Sequence, residues 1–378
     1  MRQRRSRAIW EITLKCNLAC VHCGSRAARS RTRELSTAEA LDLVRQLAGA
    51  GIDEVALIGG EAFLRRDWLE IAAEIVRRGM LCTMVTGGYG ISARLAKQMK
   101  AAGIAQCSVS IDGLEQTHDY LRGRENSWKA AFQSIENLEN AGIVTTCNTQ
   151  LNRLSMPELS GVYESIRAAG VKAWQLQMTV PMGNAADNWK ILLQPYELLE
   201  LFPQLAKLAV RAREDGIWLI PGNNVGYFGP FERTLRGGGA RTFWTGCKAG
   251  LNCLGIEADG AVKGCPSLPT DSYTGGNIRE KSLREIVETS AELNINIENS
   301  TGHLWGFCKT CEFAEICRGG CSWTAHTFFG RRGNNPYCHH RALVQRARGK
   351  RERLVLKTGA PGRPFDYGEF EIIEEETG

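Results

Sequence analysis

The sequence runs to 378 residues, 43% hydrophobic and 23% charged, enough for two or three domains with a substantial buried core. No apolar run approaches the ~18 residues a membrane span needs, and the basic start MRQRRSRAIW meets strand-type residues without a signal peptide's apolar stretch, so a soluble chain of the cytoplasm is expected. A net charge of +6 is too modest to make nucleic acid a main partner, whereas fourteen cysteines in a chain kept reduced point to metal or redox chemistry.

Residues 8–14 (AIWEITL) are β-rich and predict the first strand. A helix is expected from Ser36, which has capping-box spacing to Glu39, with Leu41, Val44 and Leu47 on one face and Gly51 at the end. A short buried strand follows at 55–58. The grammar then repeats: helices open near Asp67, Ser92, Ser127 and Ser155, close near Gly79, Gly103, Gly142 and Gly170, and lead into β-prone runs at 81–86, 106–111, 144–151 and 173–178. Six mostly apolar strands alternating with helices imply an α/β chain with a parallel sheet and right-handed crossovers. A closed or partial β/α barrel and an open doubly wound sheet both satisfy that pattern.

After Pro181 a long helix is expected from about Pro195 to Asp215, then a Gly-rich stretch. From Cys247 to Cys338 eight cysteines lie among Gly, Pro and aromatic residues with little periodicity, as expected where metal centres supply folding energy. The chain thus divides into a barrel or sheet domain (1–215), a linking segment (216–246), a Cys-rich domain (247–340) and a basic-then-acidic tail (341–378) read as solvated surface.

Cys16, Cys20 and Cys23 follow the first strand as Cys-x3-Cys-x2-Cys, at the loop face where a β/α barrel carries its functional groups. Three thiolates from one loop can hold three corners of a cubane iron-sulfur cluster and leave the fourth iron without a protein ligand; a zinc site completed by His22 or a distant residue is the alternative. The second strand runs into Gly59-Gly60-Glu61 and the fourth into Ser108-Val109-Ser110-Ile111-Asp112-Gly113. This order of motifs at successive strand ends resembles the radical S-adenosylmethionine (radical SAM) superfamily. The resemblance implies a partial (β/α)6 TIM-type barrel and a [4Fe-4S] cluster on Cys16, Cys20 and Cys23 that S-adenosylmethionine chelates. It further implies that Gly59, Gly60 and Glu61 meet the amino group of that cosubstrate, and that Ser110 and Asp112 lie beside its ribose and carboxylate. Position 62 is Ala where many members have Pro. Thr86, Asn148, Gln177 and Arg122 are further candidates for this pocket, with capping, turn or core hydrogen bonding as their alternative roles.

The later cysteines read Cys247-x5-Cys253-x11-Cys265 and Cys308-x2-Cys311-x5-Cys317-x3-Cys321, then Cys338. They resemble the SPASM domain, a small Cys-rich extension that holds two auxiliary [4Fe-4S] clusters in radical enzymes that mature peptides and proteins. Carried over, its ligation implies one auxiliary cluster on Cys247, Cys253, Cys265 and Cys321 and a second on Cys308, Cys311, Cys317 and Cys338, three clusters in all. Cys253 is the ligand some relatives lack, and a pair of four-thiolate zinc sites is the alternative. Cys82, Cys107 and Cys147, each inside an expected strand, read as small buried hydrophobes.

The resemblance therefore implies a maturase that cleaves S-adenosylmethionine to a 5′-deoxyadenosyl radical and takes hydrogen from a residue of a ribosomally made precursor peptide, leaving an oxidative cross-link or other modification. It implies a flavodoxin- or ferredoxin-type electron donor. Because only 15 residues precede Cys16, leader recognition is expected from a separate protein. Pro266 follows Cys265 where sulfatase-maturing relatives carry Asp, which argues against that branch. The opening AIWEITLKCNLACVHC also resembles haem-forming radical enzymes, so a radical oxidase of small-molecule or tetrapyrrole cofactor biosynthesis is the second reading. An iron-sulfur electron-transfer module or zinc-stabilised binding protein is the third. Asn223 to Phe231, Trp244 and Trp305 to Phe307 are expected peptide contacts in an interdomain groove, with core packing as their alternative.

Overall fold

Seven strands alternate with helices in the computed structural model, which describes residues 6–237, 243–297 and 300–377. They are β1 (Arg7–Glu11), β2 (Glu54–Ile58), β3 (Leu81–Thr86), β4 (Ile104–Ser110), β5 (Val144–Leu151), β6 (Ala173–Met178) and β7 (Trp218–Pro221). Each pairs in parallel with the next. A strand order that never reverses keeps every right-handed crossover on one face, which is barrel winding and decides against the doubly wound sheet. The free edge of β1 takes β8 (Cys253–Ile256) in parallel, and antiparallel β9 (Ala261–Lys263) and β10 (Thr274–Asn277) follow. One ten-stranded sheet results, in the order β10-β9-β8-β1-β2-β3-β4-β5-β6-β7. The barrel is partial, and the Cys-rich region extends its open side.

Three boundaries differ from the sequence reading. A seventh parallel strand, β7, lies in the segment taken as a linker; with only four residues ending in Pro221 it is a short edge strand carrying little period-two signal. The Cys-rich region shares the barrel's sheet through β8. The tail is folded: helix His339–Ala347 leads into a hairpin of β11 (Lys350–Thr358) and β12 (Glu369–Glu376). Basic and acidic segments that looked independently solvated are partners, with Arg351 and Arg353 on Glu375 at 3.0 and 2.7 Å. Beneath them Arg341 and Glu352 form a buried pair at 2.6 Å, and Gln345 donates to Glu352 at 2.8 Å.

Local signals were more faithful. Ser36 and Glu39 close a capping box, and Ser92 caps its helix through the Leu95 amide. Asp67 instead holds Arg65 at 2.7 Å, and Ser127 lies within its helix and donates to Asp119 at 2.8 Å. Along β3 to β6 the side chains of Cys82, Met84, Cys107, Val109, Cys147, Trp174 and Leu176 join the apolar core. The alternate residues, Gln106, Ser108, Ser110, Thr146, Asn148, Gln150 and Gln177, make the opposite face polar. The three unassigned cysteines are thus core side chains, and burial pushes the Cys82 thiol up to about 12. Among the described residues no helix is long and apolar enough to cross a membrane.

Where β8 and β9 meet β1, the fully buried Lys263 and the partly buried Arg31 stand among Glu11, Glu257 and Asp259. Arg31 stands 3.3 Å from Glu11, 2.8 Å from Glu257 and 3.1 Å from Asp259, and Lys263 lies 2.6 Å from Glu257. Burial, with the neighbouring Glu257 carboxylate, raises the Glu11 carboxyl to about 8 against the lowering pull of Arg31 and Lys263. Unfolded, Glu11 loses its proton near 4.5; folded, it does so near 8. The native state therefore holds the extra proton between those values, and stability falls as pH rises through that window. Glu11→Gln should flatten this slope, read as the denaturation midpoint of the metal-loaded protein from pH 5 to 8; an unchanged slope would assign the proton elsewhere.

Candidate active site

The loop after β1 carries Cys16, Cys20 and Cys23 and is clamped from two sides. Ala19 and Val21 donate backbone hydrogen bonds to the carbonyls of Arg122 and Leu121, at the end of helix Glu115–Arg122. From the segment after β6, Asn184 donates to the Cys20 carbonyl at 2.8 Å and Asn188 to the Val21 carbonyl at 3.0 Å. The thiols are also solvated by the chain: the Leu18 amide lies 3.4 Å from Cys16 Sγ, the Ala27 amide 3.4 Å from Cys23 Sγ, and Arg122 Nη1 3.8 Å from Cys20 Sγ. Burial pushes Cys16 and Cys20 up to about 11 and 12. Metal binding here must displace protons, and N–H groups aimed at the sulfurs favour the thiolates that result.

All three thiols line one cavity of about 290 Å³. Gly59, Gly60, Glu61, Thr86, Ser110, Asp112, Arg122 and Asn148 line it too, so the structure brings together the sequence-derived residues of this pocket except Gln177. Gln177 stands one side chain back, accepting from Gln150, a wall residue, at 3.5 Å. Gly59 and Gly60 run against the loop, with the Gly60 amide on the Thr13 carbonyl and the Glu61 amide on that of Lys15. A Cβ at either glycine would overlap those carbonyl oxygens, so no larger residue fits the approach.

Glu61 is 1% exposed. Thr86 Oγ1 donates to Oε1 at 2.7 Å and the Gly87 amide to Oε2 at 3.0 Å. Among the described residues no basic side chain forms an ion pair with it. Burial raises this carboxyl to about 7, against the lowering pull of Thr86, Gly87 and Arg122. A buried carboxylate with oriented donors but no contacting cation has acceptor capacity left for the N–H groups of an amino group.

Asp112 has a different setting from the one expected. Rather than standing open to ribose hydroxyls, its Oδ2 lies 2.7 Å from Arg122 and 2.8 Å from His22, and its Oδ1 accepts from the Gln150 amide at 2.8 Å. The two Oδ2 contacts have ion-pair distances without hydrogen-bond alignment. Burial alone would raise the Asp112 carboxyl; Arg122 and His22 hold it well below the usual carboxylate range. Arg122 is thereby committed to Asp112 and Cys20 instead of an incoming carboxylate. His22, by sequence the alternative zinc ligand, instead meets Asp112, and the clamp of Asn184 and Asn188 has no sequence signal, since two Asn in a loop carry no distinguishing pattern.

The eight later thiols sort into two groups. Cys308, Cys311, Cys317 and Cys338 line a single small cavity walled by Phe228, Phe307 and Phe313. Cys321 lies near enough to Cys247 and Cys265, and Cys253 to Cys265 and Cys247, for like-charge repulsion to raise their thiols beyond the effect of burial. All fourteen cysteines are free. No three His, Cys, Asp or Glu side chains among the described residues gather about one point as a mononuclear ion requires. Tyr227 and Trp305, expected to meet substrate, are packing residues. Tyr227 is fully buried, with its hydroxyl accepting from the Cys321 amide at 3.2 Å; the Trp305 indole donates to the Arg332 carbonyl at 2.9 Å and stacks beneath Arg331.

Comparison with known proteins agrees with this geometry. Residues 10–157 match the radical SAM superfamily and residues 247–312 match SPASM, an iron-sulfur cluster-binding domain. The chain is 28% identical over 353 residues to the AdoMet-dependent heme synthase of Methanosarcina barkeri, covering 88% of this chain and 95% of that protein. It is 26% identical to the PqqA peptide cyclase of Rhizobium meliloti, covering 93% and 91%. Its fold is that of anSMEcpe, solved with bound AdoMet, at a TM-score of 0.70 and 16% identity over 90% of this chain and 94% of that one. The chain therefore carries a radical SAM domain over residues 10–157 and a SPASM iron-sulfur domain over residues 247–312.

Proposed function

We propose that the protein is a maturase of a ribosomally made precursor peptide, acting through reductive cleavage of S-adenosylmethionine. The observation that carries the first half is the cavity itself, with three thiols on one wall and, on another, the buried Glu61 carboxylate, which has no ion-pair partner among the described residues. In this reading Cys16, Cys20 and Cys23 hold a [4Fe-4S] cluster with one iron free, and Glu61 receives the cosubstrate's amino group. Ser110 and Asn148 offer hydrogen-bonding groups to the remainder of the cosubstrate. When bound, cluster and cosubstrate supply a one-electron cleavage that yields a 5′-deoxyadenosyl radical able to take hydrogen from an unactivated C–H bond. The chain's own work is to orient the reactants and exclude water. Arg122 beside Cys20 adds positive charge next to the thiol and so favours the reduced state.

Support for the peptide half comes from the eight thiols, grouped as four and four. They are suited to two fully ligated auxiliary clusters, Cys247, Cys253, Cys265 and Cys321 for one and Cys308, Cys311, Cys317 and Cys338 for the other. Such centres can accept the electron released by an oxidative modification. An electron donor of flavodoxin or ferredoxin type and a separate leader-recognition protein complete the scheme, in the cytoplasm. Similarity to the heme synthase over nearly its whole length favours one second reading, a radical oxidase acting on a tetrapyrrole.

Anaerobically reconstituted, reduced protein should convert S-adenosylmethionine to methionine and 5′-deoxyadenosine, and replacing Cys16, Cys20 and Cys23 together by Ala should abolish this while iron is retained elsewhere. A peptide encoded by a short cysteine- or aromatic-rich reading frame beside the gene should lose hydrogen by mass. An unchanged peptide alongside consumption of an iron tetrapyrrole would transfer the assignment to the second reading.

Glu61→Gln should weaken S-adenosylmethionine binding about 10- to 100-fold, the range for losing a charge-assisted contact, with iron content unchanged. In the unmodified protein affinity should rise with pH through about 7, because Glu61 must shed its proton to accept from the cosubstrate's amino group with a full negative charge. Isothermal titration at several pH values checks both, and a Gln variant with the same pH profile would rule Glu61 out as the receptor.

A further inference from the structure

The cavity wall comes almost entirely from the barrel strands and their loops, between Cys16 and Met182. One lining side chain comes from elsewhere: Trp323, in the first turn of helix Ser322–Phe329, whose N-cap is Cys321. Its indole Nε1 lies 3.2 Å from the sulfur of Met182, another wall residue. The same ring packs against the surroundings of Cys247, Cys265 and Cys321. A half-buried indole therefore stands between the cavity and the thiols of the first auxiliary group.

Both sides of this contact are held by a segment remote in sequence. One turn beyond Trp323, His326 bonds Tyr273 through Nδ1 at 2.9 Å and the Tyr367 hydroxyl through Nε2 at 3.0 Å. Tyr367 also pairs its backbone with Met182 in an antiparallel bridge. Next to it Asp366 holds Arg26, three residues past Cys23, at 2.9 Å. The hairpin loop of the C-terminal segment thus fixes the indole, the methionine and the end of the cysteine loop together.

We propose that Trp323 is a substrate-positioning residue: its indole is the surface against which the target carbon is held, and it keeps small hydrogen donors of the solvent out of the cavity. A reaction that moves one hydrogen atom from a substrate C–H to the 5′ carbon has no acid-base selectivity, so it discriminates only by what lies within reach. A rigid aromatic wall with two rotatable bonds supplies that limit at small entropic cost. The role rests on the cavity being where S-adenosylmethionine is cleaved.

Holoenzyme reduced with dithionite is given S-adenosylmethionine and perdeuterated glycerol, with no other substrate. Trp323→Ala should raise the deuterated fraction of the 5′-deoxyadenosine about fivefold or more, and should speed both association and dissociation of S-adenosylmethionine about tenfold while affinity stays within about threefold, the signature of a removed gate. Trp323→Phe should behave as the unmodified enzyme. Equal deuterium fractions and unchanged exchange rates in the Ala variant would overturn the role. So would the same defect in both variants with loss of iron, which would make the indole a folding element. Should the unmodified enzyme retain its iron and yet form no 5′-deoxyadenosine, the reading of the cavity fails instead, and the exchange rates alone decide for or against the gate.

Discussion

A buried guanidinium holds the site together. Arg122 lies under the cysteine loop with its charge shared between Asp112 at 2.7 Å and Cys20 at 3.8 Å. Neither charge could be buried alone, since an isolated ion costs several kcal/mol even after relaxation. Paired, they fix the end of helix Glu115–Arg122, and that end supplies the carbonyls that Ala19 and Val21 grip. His22 extends the arrangement by meeting Asp112 with one ring nitrogen and the Leu121 carbonyl with the other. The loop can then present thiols toward the cavity because its backbone is satisfied on the opposite side. Asp112 thus belongs to the scaffold beneath the thiols, whereas Glu61, without an ion-pair partner among the described residues, lines the cavity.

The polarity of the barrel interior follows from the same division of labour. Strands with Cys, Met, Val, Leu and Trp toward the helices and Gln, Ser, Thr and Asn toward the cavity cannot be packed as an apolar core on both faces. They can persist only where the polar face meets solvent, ligand or its own kind, as Gln150 meets Gln177 and Gln106 meets Thr146. A sheet that ends at β7 and β10 without closing suits that requirement, because it admits a ligand that a closed, side-chain-filled barrel would exclude.

How much of this was legible in the sequence depended on distance along the chain. Cys16, Cys20 and Cys23 lie within eight residues, and Gly59 to Glu61 within three, so geometry imposed on one loop leaves a readable spacing. The alternation of strand and helix was legible for the same reason, since each helix carries its own face and often its own cap. Which of two windings the strands adopt was not, because pairing order is set by contacts between elements. Asp112 and Arg122 were each noticed, yet their commitment to one another was invisible: ten residues apart, one ends a strand loop and the other a helix. Trp323 with Met182, and Tyr367 with His326, join segments whose sequences bear no mark of the meeting. The basic and acidic ends of the tail looked like solvated surface because charge alternation on a hairpin and charge on a free segment have the same composition.

The shared sheet has a consequence for how the two metal-binding regions depend on each other. Cys253 begins β8 and pairs in register with Arg7 at the start of β1, while the far end of β1 leads into Cys16. Between them the cluster of Arg31, Lys263, Glu11 and Glu257 joins β8 and β9 to β1. Lys263 and Glu257, both buried and paired at 2.6 Å, tolerate little displacement, since moving one leaves the other charge buried and unpaired. Ordering of the later thiols and ordering of the first loop are therefore linked through one strand. A centre that supplies folding energy to the Cys-rich region stabilises the frame on which the N-terminal thiols are displayed, which gives the auxiliary sites a mechanical role whatever electrons they carry.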